Sequence, residues 1–325
     1  MLAILRTGTI KNRSTEMTSN RHRFYTRVPR RSAIAAILIA GIGIGISGCT
    51  SSLAFGPRTH HTYSTILPHI AGSPISISTA NGSIEVIGVD RSDVSIIVDL
   101  YGYDPQRLEL ATVHTDRLND STLSIEVHWP GGKRQNNEGA SISVELPNAN
   151  GIEAHSSNGN ITIAGLSGHA DLRSSNGSVK VDRHDGSIYA DTSNGKIQAE
   201  RVSGEIEMYS SNGGILITDA FGPIRAETSN GNAYVATMDG NEGPIRIRTS
   251  NGRVDLDLGD GFVGILKCQT SNGKVQVTGI QNAQLVEVSK RRVELRVGES
   301  DEISAIKTSN GSIRVRGRHT EPMDD

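Results

Sequence analysis

The sequence predicts an all-β chain whose main body is a parallel β-solenoid of about 18 residues per coil, capped at its N-terminal end by an irregular β region. Three observations predict it. Glycines fall every nine residues at Gly159, Gly168, Gly177, Gly186, Gly195, Gly204, Gly213, Gly222, Gly231 and Gly240. Every second one closes a Ser-Asn-Gly triplet, with Asn158, Asn176, Asn194, Asn212 and Asn230 eighteen apart. Between the glycines, apolar side chains alternate with variable ones. A fixed period of this kind marks a repeat architecture, in which one small unit buries its apolar face only by stacking on its neighbours.

The alternation places the strands. Val179 and Val181, Ile188 and Ala190, Ile197 and Ala199, Ile206 and Met208, Ile215 and Ile217, and Ile224 and Ala226 each follow a glycine with period two. Each half-unit is therefore a short strand with one buried face. Asn-Gly and Asp-Gly supply turns because they tolerate positive φ. Asn-Gly between alternating strands is also a hairpin signal, so an antiparallel β meander is the alternative. Two features favour the solenoid. Serines recur before the asparagines (Ser175, Ser193, Ser211, Ser229, Ser250, Ser271), and a ladder of small polar residues suits a corner. Three-residue insertions, at Gly240–Gly243 and Gly261–Gly264, fit bulges on one face of a stack. About nine coils at roughly 4.8 Å each give a rod on the order of 40 Å long. The glycines lapse after Gly273, where Asn282 keeps the nine-residue step and accepts a left-handed conformation. A last Ser-Asn-Gly closes at Gly311.

Residues 1–32 hold eight basic side chains (Arg6, Lys11, Arg13, Arg21, Arg23, Arg27, Arg30, Arg31) against one acid, Glu16, and residues 33–47 are uncharged. A basic region before so short an apolar run is a secretory signal rather than a spanning helix, an uncleaved anchor helix being the alternative. Ile46-Ser47-Gly48-Cys49 resembles the bacterial lipobox. That resemblance implies cleavage before Cys49 and its diacylation, which would attach the chain to a membrane through a lipid anchor. Thr50, where an aspartate would mark inner-membrane retention, favours the outer membrane or cell surface within the cell envelope. The expected divisions are a signal peptide at 1–48, the acylated cysteine and tether at 49–61, the irregular β region at 62–150, the array at 151–316 and a disordered tail at 317–325. Strands in the irregular region are read at Ile75–Ser78, Ser83–Ile87, Val94–Val98, Leu123–Trp129 and Ile142–Leu146, with a short helix or loop at Asp104-Pro105-Gln106.

Asn81-Gly82-Ser83-Ile84-Glu85-Val86, the Val-Glu-Leu-Pro edge at Val144–Pro147 and the serial Ser-Asn-Gly units together carry a family likeness. The chain resembles the bacterial putative-adhesin family of unknown function with β-strand repeats, related to the head domains called GIN. The resemblance covers most of the mature chain and implies a right-handed β-helix. It implies adhesion and brings no catalytic residues with it.

Charge narrows the partners. Eight of the 33 basic and one of the 35 acidic side chains lie in the signal, which leaves 25 against 34, a net charge of −9. A net-acidic protein has no general electrostatic attraction for nucleic acid. The mature chain would keep Cys268 as its one cysteine besides the acylated Cys49, so no disulfide framework forms, and the repeat places Cys268 at a core position. The histidines show no metal-ligand spacing, and no cofactor motif is present. Asp255 and Asp257, two apart on one strand face, are the best paired carboxylates for hydrolytic chemistry.

Binding is the stronger reading. Stacked in parallel, the outward column Asp171, Tyr189, Glu207, Arg225, Arg246, Lys267 lies beside Arg173, Asp191, Tyr209, Glu227, Arg248, Gln269. Arg225, Arg246, Arg248 and Lys267 would form a cationic patch, with Tyr189 and Tyr209 diagonally close. Such a face suits an anionic glycan or a protein partner. The expected function is that of a non-enzymatic, lipid-anchored envelope protein presenting this face. The alternatives are a carbohydrate-active β-helix enzyme acting on envelope polysaccharide and a periplasmic envelope-stress accessory protein.

Overall fold

The structure, a computed structural model, describes residues 57–118, 122–241 and 243–318. The signal and Cys49 lie outside the described residues. The rest forms one compact unit of stacked coils. In the coil around Asn194, strand Ile188–Thr192 enters the Ser-Asn-Gly turn and Ile197–Ser203 leaves it. The next coil repeats this with Ile206–Ser210 and Ile215–Phe221. Successive coils pair in parallel and in register: Ile188 faces Ile206, and Ile197 faces Ile215. The chain is therefore a β-solenoid, and the Asn-Gly turns do not close hairpins. Two strand ladders run along the stack, joined where the long strand Ile161–Ser174 passes from one to the other. The twelve inward side chains read from the alternation are at most 2% exposed, so period two located the core.

Each Ser-Asn-Gly turn is fastened to the coil below it. Asn158 donates from Nδ2 to Asn81 Oδ1 at 2.6 Å. The chain of amides continues through Asn176, Asn194, Asn212, Asn230 and Asn251, at 2.7–2.8 Å per step. The residue before each triplet matters equally. Ser174 Oγ donates to Gly159 O of the coil below at 3.0 Å and accepts from Gly177 N at 2.9 Å. Thr192, Ser210, Thr228, Thr249 and Thr270 do the same, and Thr308 Oγ1 donates likewise to Gly252 O at 2.9 Å. These hydroxyls are buried, and those from Ser174 to Thr270 each satisfy one donor and one acceptor that the corner would otherwise orphan. The repeated motif is thus Ser/Thr-Ser-Asn-Gly. The serines of the triplet itself are exposed and are not the ladder.

The nine-residue ruler is two interleaved rulers with different physical causes. Gly168, Gly186, Gly204 and Gly222 have φ of 85, 141, 117 and 125°, a region side chains disfavour. The triplet glycines from Gly159 on are not left-handed. They are glycine because the carbonyl of the coil below occupies the space of a Cβ, as Gly177 O does at Gly195. A third corner was not legible. Arg183, Arg201 and Asp219 stack at φ of 50, 55 and 50°, in line with Gly165 at 68°. Each non-glycine residue there costs about 1–2 kcal/mol. Asn282 is left-handed as expected, with φ 55°.

The coils do not stack in sequence order at either end. Strand Ile245–Thr249 of the Asn251 coil pairs not with Gly264–Thr270 but with Ile303–Thr308. Gly264–Thr270 pairs with the other side of that same strand. The last coil, Ile303–Gly317, thus lies between the two before it. The amide ladder follows the spatial order, Asn310 to Asn251 and Asn272 to Asn310, both 2.7 Å. Residues 283–297, inside the expected array, form an antiparallel hairpin (Ala283–Val288 with Arg292–Val297) that closes onto Gly264–Thr270. The N-terminal end mirrors this. Strand Ile75–Thr79 lies between Thr122–His128 and Asn150–Ser156, and Ile84–Gly88 lies between Gly139–Leu146 and Ile161–Ser174. Among the described residues, nine coils bear a ladder asparagine; the outer coil of residues 122–146 does not.

The N-terminal region adds antiparallel strands Thr59–Pro68 and Thr112–Leu118, which the sequence did not single out; the first begins within the expected tether. Helix α1 (Pro105–Glu109) is capped by Asp104, whose Oδ1 accepts from Gln106 N at 3.1 Å. Arg107 reaches from it to the buried carboxylate of Glu138, with Nε–Oε1 2.5 Å and Nη2–Oε2 3.2 Å. Burial alone would raise the Glu138 pKa. The hydrogen bonds from Arg107 and from Gln135 N outweigh it and hold the carboxyl below its ordinary 4.5. A depressed carboxylate stabilises the fold above the unfolded value, and that stabilisation is lost as pH falls through the lower folded value. Arg107→Met is expected to move acid unfolding of this region toward neutral pH. Trp129, the single tryptophan, adjoins the Arg107 contact with Pro130 O (3.5 Å) and reports it by fluorescence. An unmoved acid midpoint would show the pair to be idle.

Candidate functional site

The outward face of the ladder that enters the Ser-Asn-Gly turns brings most of the expected residues together. Tyr189 sits opposite Asp171 on one side and Glu207 on the other, and Glu207 is opposite Arg225, which is opposite Arg246. In the neighbouring column, Asp191 is followed by Tyr209, Glu227 and Arg248. The tyrosines meet across the diagonal, ring centroids 5.6 Å apart. Arg173 lies 5.1 Å from the Tyr189 centroid and Arg225 lies 5.6 Å from that of Tyr209, so each ring is backed by a cation. Tyr209 donates to Glu207 Oε2 at 2.9 Å. Burial and that carboxylate push its pKa up to about 12, which keeps the hydroxyl protonated.

The cationic patch differs from the expected set in two members. Ala305, not Lys267, is the residue opposite Arg246, because the Asn310 coil intervenes. Lys267 lies one strand farther and pairs with Glu294 Oε1 at 3.0 Å. Lys307 takes its place, directly opposite Arg248. Arg225 is engaged by Glu227 at 2.7 Å. Arg246, Arg248 and Lys307 are exposed, and among the described residues they have no ion-pair partner. Lys307 was beyond sequence reasoning because its place depends on the out-of-order coil. A shallow groove of about 330 Å³ runs across the face beside the exposed serines, lined by Asp191, Tyr209, Glu227 and Arg248.

The carboxylates considered for hydrolysis are committed elsewhere. Asp257 accepts from Arg316 Nε at 2.8 Å and Nη2 at 3.0 Å, and from Tyr234 Oη at 2.7 Å. Asp255 accepts from Arg253 Nε at 2.6 Å. Both are nearly buried beneath these partners, an arrangement that neutralises charge on a strand face. Cys268 is free and buried, and burial pushes its thiol up to about 12, far from nucleophilic. Among the described residues no group of three His, Cys, Asp or Glu is placed to share a metal ion. A larger cavity of about 620 Å³ lies at the third corner, along Leu166, Val202 and Met238, and is mainly apolar. His184 lines it, its Nε2 donating to Gly168 O at 2.9 Å, and burial holds its pKa below the ordinary value. Among the described residues no helix is long and apolar enough to cross a membrane.

A regular solenoid whose exposed side chains form a patterned face belongs to the class of repeat proteins built as extended surfaces. More specifically, the chain belongs to the Toastrack DUF4097 family, whose model matches residues 72–316. Solved structures similar to it include a putative adhesin from Bacteroides fragilis, 14% identical, covering 78% of this chain and 97% of that one with a TM-score of 0.43. A putative adhesin from Parabacteroides distasonis is 12% identical over 78% and 97% of the two chains, with a TM-score of 0.38. A putative lipid binding protein from the same organism is 14% identical over 80% and 97%, with a TM-score of 0.27. No curated protein matches the chain.

Proposed function

We propose that this protein is a lipid-anchored, non-enzymatic component of the bacterial cell envelope that acts as an adhesin-like binding rod. Its contact surface is the tyrosine and cation face, and its ligand is an anionic glycan. The observation that carries this reading is the cluster of Arg246 and Arg248, two apart on one strand, with Lys307 opposite Arg248 on the next, all exposed and, among the described residues, without ion-pair partners. Three such cations clustered on two adjacent strands offer a polyanion a compact positive patch, while Tyr189 and Tyr209 present apolar ring surface to sugar rings. Cys49 supplies the anchor, and the outer membrane or cell surface is the proposed location.

The combined change Arg246→Glu, Arg248→Glu and Lys307→Glu is expected to weaken binding to purified anionic envelope polysaccharide by at least about tenfold, since electrostatic steering and contact are both lost. Binding by the unaltered protein should fall with added salt. Unchanged affinity in the triple variant, with an unchanged circular dichroism spectrum, would sink the reading. Protease treatment of intact cells tests the location: digestion places the rod outside, and protection until permeabilisation confines it to the periplasm.

A further inference from the structure

The two ends of the solenoid are finished differently. At the N-terminal end, helix α1 buries Leu108, and one of the two edge strands, Thr112–Leu118, is polar, with exposed His114 and Asp116. Arg117 ties that strand down through Pro68 O at 2.7 Å. Charged and polar edges of this kind resist strand addition. Among the described residues, the C-terminal end has no comparable cover. Its last strand, Ala283–Val288, pairs on one side only, with Arg292–Val297. Ala283, Leu285 and Val288 face Val297, Leu295 and Val293, so they continue the inner apolar layer one strand beyond the core. A register shift after Leu285 leaves Val286 as an extra residue. Leu285, Val286 and Val288 are 68%, 63% and 63% exposed, on an edge that proteins ordinarily blunt.

Charge says what covers this edge. The hairpin turn is basic, with exposed Lys290 and Arg291, and its opposite end is acidic, with exposed Glu299. Ala283 pairs with Val297, which sets Glu299, two residues further on, near the start of the edge strand, and Val288 pairs with Val293, which sets the turn beside its finish. A two-fold axis through the middle of the strand would pair it antiparallel with its own copy. That operation lays the basic turn of each copy against the acidic end of the other. We propose that the C-terminal end of the solenoid is a homodimer interface, formed by antiparallel pairing of Ala283–Val288 with the same strand of a second copy. The interface is self-complementary and uses one end only, so assembly closes at two and does not propagate.

Sedimentation velocity of the full chain in non-ionic detergent, over a range of protein concentrations, tests this. The unaltered protein is expected to shift from monomer to dimer with concentration and to stop there. Leu285→Lys with Val288→Lys should leave a folded monomer. Lys290→Glu with Arg291→Glu should weaken the dimer about tenfold, and adding Glu299→Lys in the same chain should recover much of the loss, because the swapped charges again meet their opposites. A monomer at all concentrations, a dimer indifferent to these changes, or a charge swap that fails to restore association would each overturn the proposal.

Discussion

Gly213→Ala is expected to break the stack at its middle. A Cβ on Gly213 would lie 1.7 Å from Gly195 O and 2.4 Å from Gly195 C, where ordinary contact begins near 3.4 Å. Both atoms are backbone of the coil below, so relief requires the two coils to part. Parting them would strain the Asn212 to Asn194 bond and the hydroxyl bond from Ser210 to Gly195 O. A loss of about 3 kcal/mol or more is expected, as for severe overpacking compounded by broken buried hydrogen bonds. Gly240→Ala is the control. Among the described residues nothing lies within 4 Å of a Cβ there, and only its φ of 73° is costly, so the loss should be about 1 kcal/mol. Denaturant midpoints of the two variants separate the effects; equal losses would mean that coil contact is not what demands glycine at Gly213.

A chain ending at Gly298 is expected to lose its whole C-terminal end. It lacks the coil that fills the gap between the Asn251 and Asn272 coils. Ile306, Ile313 and Val315, each 0% exposed, would go with it. The strands Ile245–Thr249 and Gly264–Thr270 would lose their shared partner, and both ladder bonds of Asn310 would be cut. Amides beyond Leu258 should then exchange at unprotected rates. Excising residues 196–213, one internal repeat, should by contrast be tolerated. Every interface it breaks is replaced by an equivalent one, as nearest-neighbour stacking requires. Hydrogen exchange of both variants is the measurement. Retained protection after the truncation would show that the outer coil can close onto the Asn251 coil by itself.

Much of this architecture was legible because a solenoid writes its geometry once per coil. Ile197 and Ala199 announce an inward pair and recur as Ile215 and Ile217. Asn194 announces a corner and recurs as Asn212. The hydroxyl residue before each triplet was equally regular in the sequence, alternating between Ser174, Thr192, Ser210 and Thr228, and its steady presence was the available signal. The third corner was hidden because Arg183 and Arg201 do not advertise a left-handed backbone and Asp219 does so at one coil only. The candidate face was legible where coils follow one another, through Tyr189, Tyr209, Arg225, Arg246 and Arg248. It ceased to be legible at Lys267, where sequence order and spatial order part.

The sequence by itself determined the coil: its length, its two strands, its buried positions and its asparagine corner, because each follows from contacts between residues one repeat apart. Only the tertiary structure decided the order of the end coils, the closing hairpin and the company each surface charge keeps. Identical corners can stack on any neighbour, since every Asn amide and every glycine carbonyl offers the same bond. What selects Asn310 as the neighbour of Asn251 is the path of the intervening hairpin, which occupies the outer edge and leaves one gap for the last coil to fill.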